Sequence, residues 1–312
     1  MSKNVFVIGS INMDLVMSTS RLPLIGESKK GHSFFQNQGG KGANQAIAVK
    51  KLGLENVHFI GAVGNDQNGR ILKETIESYG IISDGLKVVD SINSGVCIIL
   101  LDESQNDNVL VIDGGANNCV DEVEACRYLY KHAKPGDILI TQLETNLLAV
   151  YSALKTAKEI GMYTILNPAP VCDLEKSIYS NLDLIVLNET ETKLLTNIDC
   201  ETIHDAQSAY DKFKVNELVI TLGEKGGYYV NKEKVIPIPV HKVKAVDTTC
   251  AGDTYIGALA LKLANGYTIE ESLDFAARCS SITVSRKGAG VSIPTKEEVE
   301  EIERSMAHEK DN

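Results

Sequence analysis

Val243–Ala258, VKAVDTTCAGDTYIGA, is the stretch on which the reading of the chain turns. Val243–Val246 alternates apolar and polar residues, which predicts the end of a strand. Asp247, Thr248 and Thr249 then offer oxygen atoms, and Cys250, Ala251 and Gly252 are small. From Asp253 onward, Ile256, Leu259, Ala260 and Leu263 recur at helical spacing, so a helix is expected to begin at Gly252 or Asp253. Free N–H groups in a first helical turn attract anions, and small residues let a phosphate come close. A carboxylate there repels that phosphate unless it has a task, such as taking a proton from a nucleophile. An ordinary N-cap would also place Asp at a helix start. Two Gly-rich turns and a polar rim elsewhere in the chain weigh toward a site.

The first of those turns is Gly39–Ala46, GGKGANQA, which leads into a helix predicted over Asn44–Leu52. Its glycines permit close backbone approach to a ligand. It is neither a Walker A loop nor a dinucleotide fingerprint, because the glycine spacing differs and no Ser or Thr follows the lysine. Strands are predicted at Val5–Ile8, Val57–Val63, Ile138–Thr141, Tyr163–Leu166, Leu184–Leu187 and Leu218–Thr221, and helices at Gly69–Tyr79, Val123–His132, Leu147–Ile160, Ile269–Ser285 and Thr295–Arg304. The tail Met306–Asn312 reads as polar and frayed. Most of the strands end in a polar or Gly-rich cluster. In a doubly wound sheet ligands gather at the carboxyl ends of strands, so Glu144, Asn167, Asn188, Gly223 and Asp253 are expected on one rim. Residues 12–38 and 94–112 break this rhythm. Asn12 and Asp14 share one strand face, Lys29–Asn37 reads as an exposed strand, and Ser94–Leu101 with Val109–Ile112 as a hairpin. They predict a small β-sheet lid over the rim, with Lys29–Asn37 and Ser94–Leu101 as its edges. The expectation is one α/β domain over 1–312, a doubly wound, mostly parallel sheet flanked by helices, carrying that lid.

A net charge of −11 argues against nucleic acid as a partner. No run of 18 apolar residues is present, so no membrane span is expected. MSKNVFVIGS enters a strand without the apolar core of a signal peptide, and seven cysteines lack a C-x-x-C pair; both point to reducing cytoplasm. Cys250 reads as a small buried residue, because no histidine lies near it in sequence to activate it. Six histidines form no H-E-x-x-H, which disfavours a zinc site.

These motifs resemble the ribokinase-like (phosphofructokinase-B) carbohydrate kinases, and among them the ribokinases, over nearly the whole chain. GGKGANQA at Gly39–Ala46 and DTTCAGDTYIGA at Asp247–Ala258 carry the resemblance, with GSINMD, GNDQNG, QLE, NPAP, NETE, TLGEKG and SRKGAGVSIP in support. The resemblance implies ATP-dependent phosphorylation of D-ribose at O5. It makes Asp253 the general base, and Cys250, Ala251 and Gly252 an anion hole. It implies a sugar site of Asn12, Met13, Asp14, Gly40, Lys41, Gly42, Ala43, Asn44 and Glu144. ATP would lie along Asn188, Thr221, Leu222, Gly223, Glu224, Lys225, Gly226, Gly252 and Ala277. Asn188 and Glu191 would organise Mg²⁺ indirectly. Asp247, Thr249, Thr283, Arg286, Gly288 and Ser292 match a K⁺ site, several of them through carbonyls. A homodimer through the lids is implied as well. The chain departs from its family at Ile256, often Asn, and at Ala277, usually Asn or His near the nucleotide base.

Phosphoryl transfer needs positioning and charge stabilisation more than covalent chemistry, and these residue types supply both. Other acceptors remain open at this point: deoxyribose, fructose, adenosine or pseudouridine. A non-catalytic sugar-binding regulator is disfavoured by the presence of Asp253. A Rossmann dehydrogenase is disfavoured because no G-x-G-x-x-G follows Val5–Ile8.

Overall fold

A computed structural model of the protein describes residues 3–105 and 107–310, without the side chains of 305–310. In chain order the first elements are β1 (Val5–Ile8), β2 (Asn12–Thr19), β3 (His32–Gly39), α1 (Lys41–Lys51), β4 (Val57–Gly64), α2 (Gln67–Ser78), β5 (Ile82–Val89), β6 (Gly95–Asp102) and β7 (Asp107–Asp113). There follow α3 (Glu122–His132), β8 (Ile138–Thr141), α4 (Leu147–Ile160), β9 (Tyr163–Leu166), β10 (Leu184–Asn188), α5 (Glu189–Thr196) and α6 (Ile203–Tyr210). The chain closes with β11 (Glu217–Thr221), β12 (Gly227–Asn231), β13 (Val235–Ile238), α7 (Ala251–Ala264), α8 (Ile269–Val284) and α9 (Lys296–Lys310).

Successive strand residues point to opposite faces, and here both faces are covered. Val5, Val7, Ile138, Ile140, Leu184 and Val186 join one core with residues of α1, α2, α7 and α8. Their neighbours Phe6, Ile8, Leu139, Ile185 and Leu187 join the other, with residues of α3, α4 and α6. This explains the continuous apolar runs, which a sheet covered on both sides requires. The nine strands lie in the order β13-β12-β11-β10-β9-β8-β1-β4-β5. All pairs from β11 to β5 are parallel, while β12 and β13 add an antiparallel edge. From β1 the chain runs outward to β5, then returns to β8 on the other flank of β1. The strand order therefore reverses between β1 and β8, where a doubly wound sheet opens its crevice.

A second sheet has the order β3-β2-β6-β7, and the chain enters it directly from β1. Strands β2 and β6 pair in parallel, and β3 and β7 flank them antiparallel. The expected edge at Ser94–Leu101 is therefore corrected. That segment, as β6, is interior, and the edge is β7, every residue of which is exposed. No helix among the described residues is long and apolar enough to cross a membrane.

The expected strand at Val243–Val246 is not formed. Val243 and Val246 are 45% and 47% exposed, and no strand lies beside them to complete a ladder. The N–H groups of Val246 and Asp247 instead donate to the Val284 carbonyl, at 2.7 and 3.2 Å, at the end of α8. A helix leaves its last carbonyls without internal partners, so this segment serves as a cap. Helix α7 begins at Ala251, one residue before the expected start. Helices α5 and α6 fall where no helix was expected. Helix α9 continues past the expected end at Arg304 to Lys310, so the fraying expected from Met306 is corrected as far as Lys310, and the last two residues of that stretch lie outside the described residues.

Helices α1 and α7 meet at Gly257. A Cβ there would stand 2.5 Å from Ala48 Cβ, 2.9 Å from the Gln45 carbonyl and 3.1 Å from Val49 N. Two of these are backbone atoms and cannot turn aside. Overpacking of this kind costs about 1–3 kcal/mol, so Gly257→Ala should lower the unfolding free energy by that amount, read as a lower urea midpoint. Gly252→Ala is the control, since nothing lies within 4 Å of a Cβ there. Equal midpoints for Gly257→Ala and wild type would contradict the close packing.

Candidate active site

At the carboxyl ends of the strands, the starts of α1, α5 and α7 meet residues at or just beyond the ends of β8, β9, β10 and β11. Helix α1 starts at Lys41 behind Gly40, whose φ of 91° suits glycine. A Cβ on Gly40 would meet Ile11 Cα at 2.8 Å, so glycine lets this turn lie against the β1–β2 connection. Glu144, just beyond β8, ties the turn down. Its Oε2 accepts from Ser10 Oγ at 2.6 Å and from the Lys41 N–H at 3.1 Å.

Opposite stands the first turn of α7. Cys250, its N-cap, has φ 66°, a left-handed conformation that costs a side-chain-bearing residue about 1–2 kcal/mol. The Ala251 N–H closes on the Thr248 carbonyl at 3.3 Å, which corrects the expected anion hole of Cys250, Ala251 and Gly252, since that N–H is already taken by the turn. Those of Gly252 and Asp253 have no protein acceptor among the described residues. Cys250, Ala251, Gly252 and Asp253 line a cleft of about 190 Å³ with Lys41, Asn167, Asn188, Glu191, Thr221 and Thr248. The expected rim is thus largely assembled. Burial pushes the Cys250 thiol well above its ordinary value, which removes it as a nucleophile.

Asp253 is 8% exposed. Its Oδ1 accepts from Gln45 Nε2 at 3.0 Å and its Oδ2 from Asn44 Nδ2 at 3.2 Å. Burial raises its pKa, while Lys41 and the two amides hold it down. Burial would depress the Lys41 ammonium, but Asp253, Glu144 and Glu191 outweigh it and raise the pKa. Asp14, at the start of β2, is pushed up to about 7 by burial first and then by Glu144 and Asp253. Among the described residues none donates a hydrogen bond to its carboxylate. Asn12 shares its strand face, and its Oδ1 accepts from Asn117 Nδ2 at 2.7 Å, which turns its own amide donors the other way. Met13 alternates into the core, 2% exposed, and Ala43 is likewise buried, so only their backbones can serve a ligand. The Ala43 N–H is taken by the Ser10 carbonyl at 2.9 Å.

On the far side of the cleft, Asn188 caps α5. Its side chain accepts from the Glu191 N–H at 2.8 Å, and Glu191 Oε2 accepts from the Asn188 N–H at 3.0 Å and from Asn167 Nδ2 at 3.4 Å. The N-x-x-E pattern is therefore a capping box whose acid faces the cleft, its pKa raised by burial. Thr221 lines the same cleft, whereas Leu222 and Lys225 line a neighbouring one of about 360 Å³ with Glu189, Thr190 and Lys193. Gly223, Glu224 and Lys225 form a 3₁₀ turn closed by Gly226. Ala277 lies on α8, packed against the core and not among the residues lining the cleft.

Asp247 joins two loops. Its Oδ1 accepts from the Thr249 N–H at 2.9 Å and its Oδ2 from the Gly288 N–H at 3.0 Å. Thr283 and Ser292 are buried beside these loops, Thr283 Oγ1 bonding Thr254 Oγ1 at 3.0 Å and Ser292 Oγ the Ala289 carbonyl at 2.7 Å. Arg286 turns to Glu298 instead. The cluster holds one carboxylate and otherwise hydroxyl and carbonyl oxygens. Among the described residues no group of three His, Cys, Asp or Glu could hold a metal ion. That donor set suits a weakly charged cation better than a transition metal.

Sequence reasoning missed Ser10, Gln45, Asn117 and Gln142. Gln45 and Gln142 stood inside quoted motifs, GGKGANQA and QLE, but nothing in spacing alone distinguished them from their neighbours.

Compared with known families, the chain matches the pfkB family carbohydrate kinases over residues 2–296. A ribokinase of Schizosaccharomyces pombe is 38% identical over 310 residues, spanning 95% of this chain and 96% of its own. A deoxyribokinase of Salmonella typhimurium is 32% identical over 303 residues, spanning 96% and 98%. The structure of an Arabidopsis thaliana ribokinase complexed with ribose and ATP matches at a TM-score of 0.86 and 29% identity, covering 96% of this chain and 98% of that one.

Asp14 also makes a stability prediction. Its pKa rises from 3.8 to about 7 on folding, so the folded state binds the proton more tightly. Stability is then lost as pH rises through that window. Asp14→Asn removes the penalty and should gain on the order of 2–4 kcal/mol at pH 8, less at pH 5. Urea unfolding at the two pH values measures it, and an unchanged midpoint at pH 8 would refute it.

Proposed function

The chain belongs to the pfkB family of carbohydrate kinases, and on that premise we propose that it is a ribokinase, transferring the γ-phosphate of ATP to O5 of D-ribose. One observation carries the choice of ligand: Glu144 and Asp253 both hold the first turns of α1, and both lie close enough to Asp14 to raise its pKa. Such a set of acceptors calls for a neutral ligand rich in donors, which a polyhydroxy sugar is. In this reading Asp14, Glu144, Asn12, Asn44 and the Gly40–Ala43 backbone hold the ring hydroxyls.

Asp253 takes the O5 proton as O5 bonds to the γ-phosphorus, and the bond from that phosphorus to the bridging oxygen breaks, releasing ADP. The raised pKa makes Asp253 a stronger base than a free carboxylate, and the neighbouring amides keep it ionised. The open N–H groups of Gly252 and Asp253, with Cys250 and Ala251 shaping the turn, receive the charge on the phosphoryl oxygens. ATP lies along Asn188 and Thr221–Gly226 toward Ala277. Asn188 and Glu191 suit a hydrated Mg²⁺, which when bound neutralises charge on the phosphates. The small sheet acts as a lid that excludes water. Seven free thiols suit a cytoplasmic setting.

The deciding experiment compares kcat/KM for D-ribose and 2-deoxyribose. Removing the 2-hydroxyl leaves a desolvated acceptor without its partner, so ribose should win by at least ~10-fold. Asp14→Ala should lose most ribose activity and narrow that ratio. Asp253→Asn should lose about 10²–10⁴-fold in kcat. Equal use of the two sugars would move the assignment to the deoxyribokinases, and preference for a nucleoside would end it.

We also propose K⁺ activation at Asp247, Thr249, Thr283, Arg286, Gly288 and Ser292. Asp247 braces the turn that bears the anion hole, so a cation there would order it. Activity should rise several-fold from tetramethylammonium to K⁺, and equal rates in K⁺, Na⁺ and the organic cation would count against the site.

A homodimer through the lids is the remaining proposal. Phe34, Ile98 and Val111 of the small sheet are 55%, 47% and 63% exposed, and the β3 and β7 edges are unpaired liabilities. Light scattering at micromolar concentration should give twice the chain mass; a fully active monomer would argue otherwise.

A further inference from the structure

Behind Asp253 lies a pair of buried amides, of which the chemistry above uses only the Gln45 donor and gives Gln142 no part. Gln45 and Gln142 are both fully buried. Gln45 donates from Nε2 to Asp253 Oδ1 at 3.0 Å, and its Oε1 accepts from Gln142 Nε2 at 2.5 Å. Gln142 Oε1 has no hydrogen-bond partner. A buried acceptor left unmatched is uncommon and calls for a reason.

The reason lies in the order of the chain of amides. A carboxylate can only accept, so the end of Gln45 facing Asp253 has to be its NH₂. Its oxygen then faces Gln142, which must answer with its own NH₂. The oxygen of Gln142 is turned away, against Gly9. Rotating Gln142 to satisfy that oxygen would set two carbonyl oxygens together, or turn Gln45 around to face Asp253 with an oxygen. Gly9 makes the arrangement possible, since a Cβ there would collide with Gln142 Oε1 and stand 2.9 Å from Gly42 Cα.

We propose that Gln45 is a positioning residue for Asp253, locked by Gln142 in the orientation that keeps the carboxylate ionised and its free lone pairs toward the sugar hydroxyl. This rests on the reading of Asp253 as the base. The charged and titratable groups around Asp253 are Lys41 from α1, Glu144 beyond β8, Asp14 from β2, Glu191 from α5 and Cys250 on its own turn. Lys41 alone among them is cationic, so the Gln45 and Asn44 amides bear much of the stabilisation of the anion.

The test is the pH profile of kcat/KM for ribose. Gln45→Met keeps the bulk and removes the donor. Its acid limb should move up by about one pH unit, the worth of one hydrogen bond to a charged group, with activity recovering at alkaline pH. Gln142→Met touches neither Asp253 nor ligand, yet should move the limb the same way by less, because Gln45 is freed to turn. The double variant Gln45→Met/Gln142→Met leaves no orphaned amide, so it folds where a single variant fails, and should show the full shift. Loss of activity by the same factor at every pH, or superposed limbs, overturns the proposal. Asp253→Asn separates the two levels. If it is inactive while the limbs stay fixed, only this proposal falls; if it keeps near-normal kcat, the base reading falls and takes the proposal with it.

Discussion

A carboxylate as buried as that of Asp253 is tolerated only where donors replace the water it has lost. Here Asn44 and Gln45, consecutive residues of α1, supply one bond to each oxygen. That requirement ties the first turn of α7 to the first turns of α1, and it governs much of the surrounding packing. Gly257 lets the two helices approach. Gly40 and Gly42 let α1 begin against the β1–β2 connection. Glu144 then pins the start of α1 to the end of β8. The reversal of strand order between β1 and β8 puts these ends side by side.

The same small region holds two opposite electrostatic characters. On one side stand Asp14, Glu144 and Asp253, which attract hydroxyl donors. On the other stand the open N–H groups of the first turn of α7, which attract an anion. Cys250, in its left-handed conformation, bends the chain so that the donors and the Asp253 carboxylate come from one turn. A strained residue at such a position is what a functional turn tends to keep.

The sequence was most legible where a local pattern and a tertiary partner agreed. Ile138–Thr141, Leu147–Ile160 and Tyr163–Leu166 form the elements expected, because apolar strands buried on both faces and a helix with a full apolar side allow few alternatives. The rim could be anticipated from the polar residue closing each strand. Val243–Val246 failed because alternation says nothing of whether a neighbouring strand exists. Glu189–Thr196 and Ile203–Tyr210 failed because eight-residue helices carry too few turns to show a period. Within the site, Asp253 and Asn44 stood out by motif. Gln45, Gln142 and Asn117 did not, since their parts depend on partners about a hundred residues or more away.

The crowding of carboxylates has a consequence for what leaves the site. In the proposed reading a neutral sugar would meet Asp14, Glu144 and Asp253 without charge repulsion. Once phosphorylated, the same molecule carries about two negative charges into a space of low dielectric, where like charges interact more strongly than in water. The pocket would then work as a valve, open to the unmodified molecule and repelling the modified one. Product release would be eased by a charge distribution already built into the resting protein.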